Sequence, residues 1–131
     1  MPNKYIAEIE KLVIDIAGVL FTVITEAEMI ERFGMQGQID FRTNQIVLDP
    51  DMSSRDTLTV LIHEVVEGII RRYQANIPHE TIVFLECSLF TVLMDNPKML
   101  RILLEEAETG KRDIELEEKK QNTVEEILNK E

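Results

Sequence analysis

Apolar side chains change their spacing twice along the chain. Up to residue 49 they come in short β-branched and aromatic runs, from residue 57 they recur at helical intervals, and beyond residue 110 they thin out among charges. Residues 11–16 and 19–24, separated by Ala17-Gly18, read as a hairpin with glycine at the turn. Residues 36–42 and 45–49, joined by Thr43-Asn44, read as a second one, because Ile39 and Phe41 share a face, as do Ile46 and Leu48. One small antiparallel sheet is expected from these four strands. Residues 5–10 fit a short strand and a single helical turn equally, and residues 26–33 have helical composition that stops at Gly34. Pro50 closes the strand region, since it cannot donate to a ladder. Ser53-Ser54-Arg55-Asp56 then supplies a cap and an early acid for a long helix that runs to about Tyr73. A loop over 74–78 leads to a second helix over 79–94. Asn96-Pro97 opens a third helix, with Pro at the first helical position, and Thr109-Gly110 is expected to end it. The resulting fold class is α+β: two hairpins forming a small sheet, packed on a helical hairpin, with a third helix.

The last segment needs separate treatment. From residue 111 the sequence is Glu, Lys, Asn and Gln with isolated Ile114, Leu116, Val124, Ile127 and Leu128, too few to bury a helix of their own. The reading is a domain over 1–108 and a charged tail over 109–131, helical or partly disordered, whose sparse apolar stripe suits a partner helix.

Composition removes several functions. With 131 residues the chain has room for one core. Its 14 basic and 25 acidic residues give a formal net charge of −11, which opposes binding to a phosphate backbone, so nucleic acid is not an expected partner. The single cysteine, Cys87, rules out an intrachain disulfide framework and a thiolate zinc finger, and it reads as a packed small residue. No apolar run reaches the length of a membrane span, Asp15 interrupting the most apolar stretch, and the opening residues lack the layout of a signal peptide. The expectation is a cytoplasmic protein without membrane contact.

Candidate chemistry lies on the two helices after the sheet. The first carries His63-Glu64-Val-Val-Glu67, in which positions i and i+4 fall on one helical face and let the His63 imidazole and the Glu67 carboxylate converge. Glu64 lies about 100° round the axis, at the edge of that face. The same helix could instead lay Leu58, Leu61, Ile62, Val65 and Ile69 on the sheet and show its polar side to water. The second helix weighs against that alternative, because Ile82, Val83, Leu89, Phe90 and Leu93 surround the direction of Glu86. A carboxylate within an apolar stripe needs a partner, and His63 with Glu67, Arg71, Arg72 or a proton could supply it. With a turn near residue 76, Glu67 and Glu86 stand nearly level. His79 lies on the order of 9 Å off that level and reads as the start of the helix, a group supporting the site, or an alternative ligand. His63, Glu67 and Glu86 thus form a candidate three-ligand set, which with an open fourth position suits a hydrolytic zinc centre.

Taken together, Gly37-Gln-Ile-Asp-Phe-Arg, Gln45-Ile-Val-Leu-Asp, the His63-Glu64-x-x-Glu67 helix and Leu85-Glu-Cys-Ser-Leu-Phe resemble the small zincin-like proteins of phages and prophages, relatives of ImmA/IrrE-type metallopeptidases. The resemblance covers about residues 11–96. It implies a divalent metal, zinc before manganese or iron, held by His63, Glu67 and Glu86. It also implies Glu64 as the general base that deprotonates the attacking water, and a protein or peptide substrate lying along strand 45–49 or its neighbour. Peptidases of this type carry His where Glu67 stands. Two carboxylates and one imidazole sum to a ligand charge of −2, which lowers the acidifying power of the metal and favours harder ions. Two functions follow as expectations: a metal-dependent, peptidase-like hydrolase encoded by a phage or mobile element, and a catalytically inactive module of the same shape that binds and regulates a protein.

Overall fold

The computed structural model of the chain describes residues 3–129, apart from the side chains of 112 and 113. Residues 1, 2, 130 and 131, the outer ends of the expected domain and tail, lie outside that description. Residues 6–9, which the sequence left between strand and helix, form a single helical turn, α1 (Ile6–Ile9). The first hairpin follows as β1 (Val13–Ile16) and β2 (Val19–Thr25), paired antiparallel from Val13↔Thr22 to Ile16↔Val19. Both turn residues have positive φ, 51° at Ala17 and 88° at Gly18, the combination a two-residue turn needs to match the twist of its strands. A carboxylate oxygen of Asp15 accepts from the Gly18 N–H at 2.8 Å and holds the turn.

After β2 comes α2 (Met29–Phe33), stopped by Gly34 in the left-handed region at φ 67°. The second hairpin is β3 (Gly37–Asp40) and β4 (Gln45–Leu48), paired from Gly37↔Leu48 to Asp40↔Gln45. The sheet order is β1-β2-β4-β3, and β2 pairs with β4 in parallel, from Thr22↔Gln45 to Thr25↔Leu48. The sheet is therefore mixed, which corrects the expected antiparallel one. Both hairpins form as expected because their turns are encoded locally. Their mutual pairing depends on the path of residues 26–44, which carry the chain back so that β4 enters beside β2 in the same direction, as a parallel pair requires.

The core gathers on one face of this sheet. Ile9, Ile16, Phe21, Val23, Ile39, Ile46, Leu48 and Met52 form one buried cluster, against which Leu58, Val60, Leu61 and Val65 of the following helix pack. That helix, α3 (Ser54–Arg72), begins at Ser53, whose hydroxyl accepts from the Asp56 N–H, and crosses β1, β3 and β4. A loop with Gln74 at φ 53° leads to α4 (His79–Asp95), and α5 (Pro97–Asn129) follows. The α5 helix runs through Gly110 without the expected break. Unlike Gly34, Gly110 does not take a positive φ, and a glycine inside a helix costs only about 1 kcal/mol relative to Ala. Internal contacts divide the chain into two compact units that part between Phe90 and Thr91. Among the described residues no helix is long and apolar enough to cross a membrane.

Candidate functional site

Residues of α3 buried deepest against the sheet are Thr57, Glu64 and Gly68, a line at i, i+7 and i+11. Gly68 allows the approach: a Cβ there would stand 2.9 Å from Ile39 Cδ1 and 3.0 Å from Ile16 Cδ1. At Gly37 a Cβ would stand 2.6 Å from Val60 Cγ1, so the edge strand and the helix also meet closely there. These two contacts fix the helix against β3 and bring Glu64 into the interior at 7 % exposure. The arrangement in which α3 shows Glu64 to water is thereby corrected, and so is the expected seat of Ile69, which is exposed.

On α4 the buried residues are Ile82, Glu86 and Phe90, spaced i, i+4 and i+8, so Glu86 does sit within an apolar stripe. Its carboxylate meets the His63 ring, with Nδ1 lying 2.7 Å from both Oε1 and Oε2. Arg71 and Arg72, the alternative partners, go elsewhere. Arg71 lies 3.8 Å from Glu67 Oε2 and stacks 5.0 Å over Phe41, while Arg72 donates to the Ala17 carbonyl. On the other edge of the imidazole, His63 Nε2 lies 3.4 Å from Glu67 Oε1, and the same oxygen is 3.8 Å from Nδ1 of His79. The His63 and His79 rings stand edge to face with centroids 5.7 Å apart. Side chains from His63, Glu67, Glu86 and His79 are thus brought together. Cys87, next to Glu86 but turned round the helix, is exposed, where the sequence suggested a buried small residue.

Electrostatics follow from this packing. Burial opposes the charged imidazole of His63, yet the hydrogen bond and charge of Glu86, with Glu64 and Glu67 behind it, outweigh that effect and raise its pKa. The Glu64 carboxyl is also raised, chiefly by burial, with Glu67 and Glu86 adding to the shift and His63 and Arg71 opposing it. Two clefts flank Glu64. One, of about 480 Å³, is lined by Met35, Gly37, Thr59, His63, Glu64 and Glu86, and the other, of about 270 Å³, by Gln38, Ile39, Glu64, Glu67 and Arg71 among others. Both run beside β3, whose outer edge no strand covers among the described residues. A larger hollow of about 600 Å³ lies between successive side chains of α5 from Ile114 to Val124 and contains no imidazole or thiol.

Could a cation be held here? The donor types suit one, a pair of imidazoles with carboxylates between and beside them. The donors are not drawn in to a common point, and among the described residues no three His, Cys, Asp or Glu side chains form a ready cage. His79, whose side chain is 68 % exposed, is the least enclosed of the four donors. Met35 and Gly68 have no place in the sequence reading of the site, and Gly37 enters it only through the resemblance. A glycine inside a strand pattern and another inside a helical one do signal close backbone approach, and that signal marks Gly37 and Gly68. Neither a known protein-family model, nor a curated protein, nor a solved structure matches the chain.

Proposed function

We propose that the chain is a metal-dependent hydrolase of zincin-like type acting on a protein or peptide. The observation that carries this reading is the meeting of His63 with Glu86 across α3 and α4, with Glu67 at the opposite ring edge and a buried Glu64 in the same cleft. When bound, a divalent cation would supply Lewis acidity and an acidified water. The chain's own residues do the rest. His63 and Glu67 hold the cation from one face of α3, and Glu86 faces them from α4. Glu64, whose burial raises its pKa in the direction a general base and acid needs, takes a proton from the attacking water and delivers it to the leaving amine. The free edge of β3 offers backbone donors and acceptors to an extended peptide, and the clefts on either side of Glu64 receive its side chains.

The test uses zinc-loaded full-length chain and an unfolded protein substrate, with cleavage followed by mass spectrometry. Glu64→Gln is expected to remove turnover while preserving zinc content and the circular dichroism spectrum. Cleavage by that variant at the wild-type rate contradicts the mechanism. A zinc-loaded wild type that cleaves nothing favours the alternative, an inactive module of the same shape that binds a protein partner, for which Glu67 in place of a second motif histidine is the motivating residue.

A further inference from the structure

The hydrolase reading leaves open which side chain is the third ligand, and on that reading we propose that it is His79, with Glu86 as a positioning residue. The two edges of the His63 ring face different partners. An ionised carboxylate can only accept hydrogen bonds, so Glu86, with both oxygens 2.7 Å from Nδ1, places the ring proton there. The lone pair is then on Nε2, and the two ring nitrogens point away from each other, so one cation cannot bond to both. A cation on Nε2 therefore lies across the ring from Glu86. A carboxylate on the far nitrogen of a metal-bound imidazole is the usual device for fixing tautomer and ring orientation.

On the Nε2 side the structure supplies different donors. Glu67 Oε1 is shared between His63 Nε2 at 3.4 Å and His79 Nδ1 at 3.8 Å, so one carboxylate oxygen lies between two imidazoles. The offset of about 9 Å expected for His79 is one between backbone levels on neighbouring helices. The long Glu67 side chain and the His79 ring close the difference. Exposure divides the roles the same way, since Glu86 is held at 6 % exposure between Ile82 and Phe90, whereas His79 opens α4 with its side chain 68 % exposed. The donor set becomes two neutral imidazoles and one carboxylate, the composition of known hydrolytic zinc sites. Its formal charge is −1 instead of −2, which restores preference for zinc over manganese or iron.

X-ray absorption on the zinc-loaded full chain counts imidazoles at the metal. The expected counts are two for the wild type, one for His79→Ala and two for Glu86→Gln, with zinc affinity of the last lowered roughly 10- to 100-fold through loss of ring orientation. One imidazole in the wild type, or a count that His79→Ala leaves unchanged, overturns the assignment of His79 while the hydrolase reading stands. A wild-type chain that takes up no zinc overturns both. His79 is exposed, and circular dichroism of the His79→Ala and Glu86→Gln proteins verifies that each is folded.

Discussion

Two helices of this protein carry a glycine in their interior, and the two glycines serve opposite ends. In α3, Gly68 is buried and any Cβ there would meet Ile39 and Ile16, so its absence of a side chain is what lets the helix settle on the sheet. In α5, nothing lies within 4 Å of a Cβ built at Gly110. The same residue type marks a designed contact in one helix and a mere weak point in the other. The difference extends along both helices. The α3 helix has a capped start, a packed face and a buried acid, whereas on α5 apolar residues such as Ile114, Leu116, Val124, Ile127 and Leu128 are all exposed. Chemistry that needs fixed geometry belongs on the first kind of helix.

The largest expected effect comes from filling the close contact. Gly68→Val should destabilise the fold by about 1–3 kcal/mol, read as a lower urea midpoint, because a branched side chain there must push the Ile39 and Ile16 δ-methyls aside within a packed interior. An unchanged midpoint would mean that α3 does not rest on the sheet as closely as these distances say. Next, Glu86→Ala should cost about 1–3 kcal/mol, since it leaves the half-buried His63 ring without its partner at Nδ1. Equal stability of that variant would place Glu86 in solvent. Gly110→Ala, by contrast, should raise helix content and add no more than about 1 kcal/mol, with no loss anywhere. A destabilised Gly110→Ala protein would erase the contrast between the two glycines.

A smaller effect concerns pH in metal-free protein. Both His63 and Glu64 have folded-state pKa values raised from their ordinary 6.5 and 4.5, so the folded chain binds more protons than the unfolded one between those values and the raised ones. Their contribution to stability is full below the unfolded values and is lost as pH rises through the folded values. Urea midpoints of chelator-treated protein should accordingly fall from acidic towards neutral pH on account of these groups. Glu64→Gln should flatten the lower part of that slope, and a slope unaltered by the substitution would contradict the burial of Glu64.

How much of this was legible in the sequence depends on whether the cause is local. The turn at Ala17-Gly18, the stop at Gly34, the cap at Ser53 and the start at Pro97 are each set by residues within a turn of one another, and each could be read directly. The i, i+4 relation of His63 and Glu67 is a property of one helix, and the apolar surroundings of Glu86 a property of another. The parallel pairing of β2 with β4 is set by a connection of many residues, so hairpin rules alone pointed to the wrong sheet. Likewise the burial of Glu64 follows from Gly37 and Gly68 drawing α3 against β3, a contact between elements distant in sequence. The passage of α5 through Gly110 turned on a small propensity cost, too slight to end a helix.

The central claim is that side chains on one face of α3 hold a cation. Equilibrium dialysis against buffered zinc, followed by metal analysis, measures this directly for the wild type and a His63→Ala, Glu67→Ala double variant. One zinc per wild-type chain, lost in the folded double variant, is the expected result. No zinc on the wild type, or the same zinc on both proteins, would contradict the account.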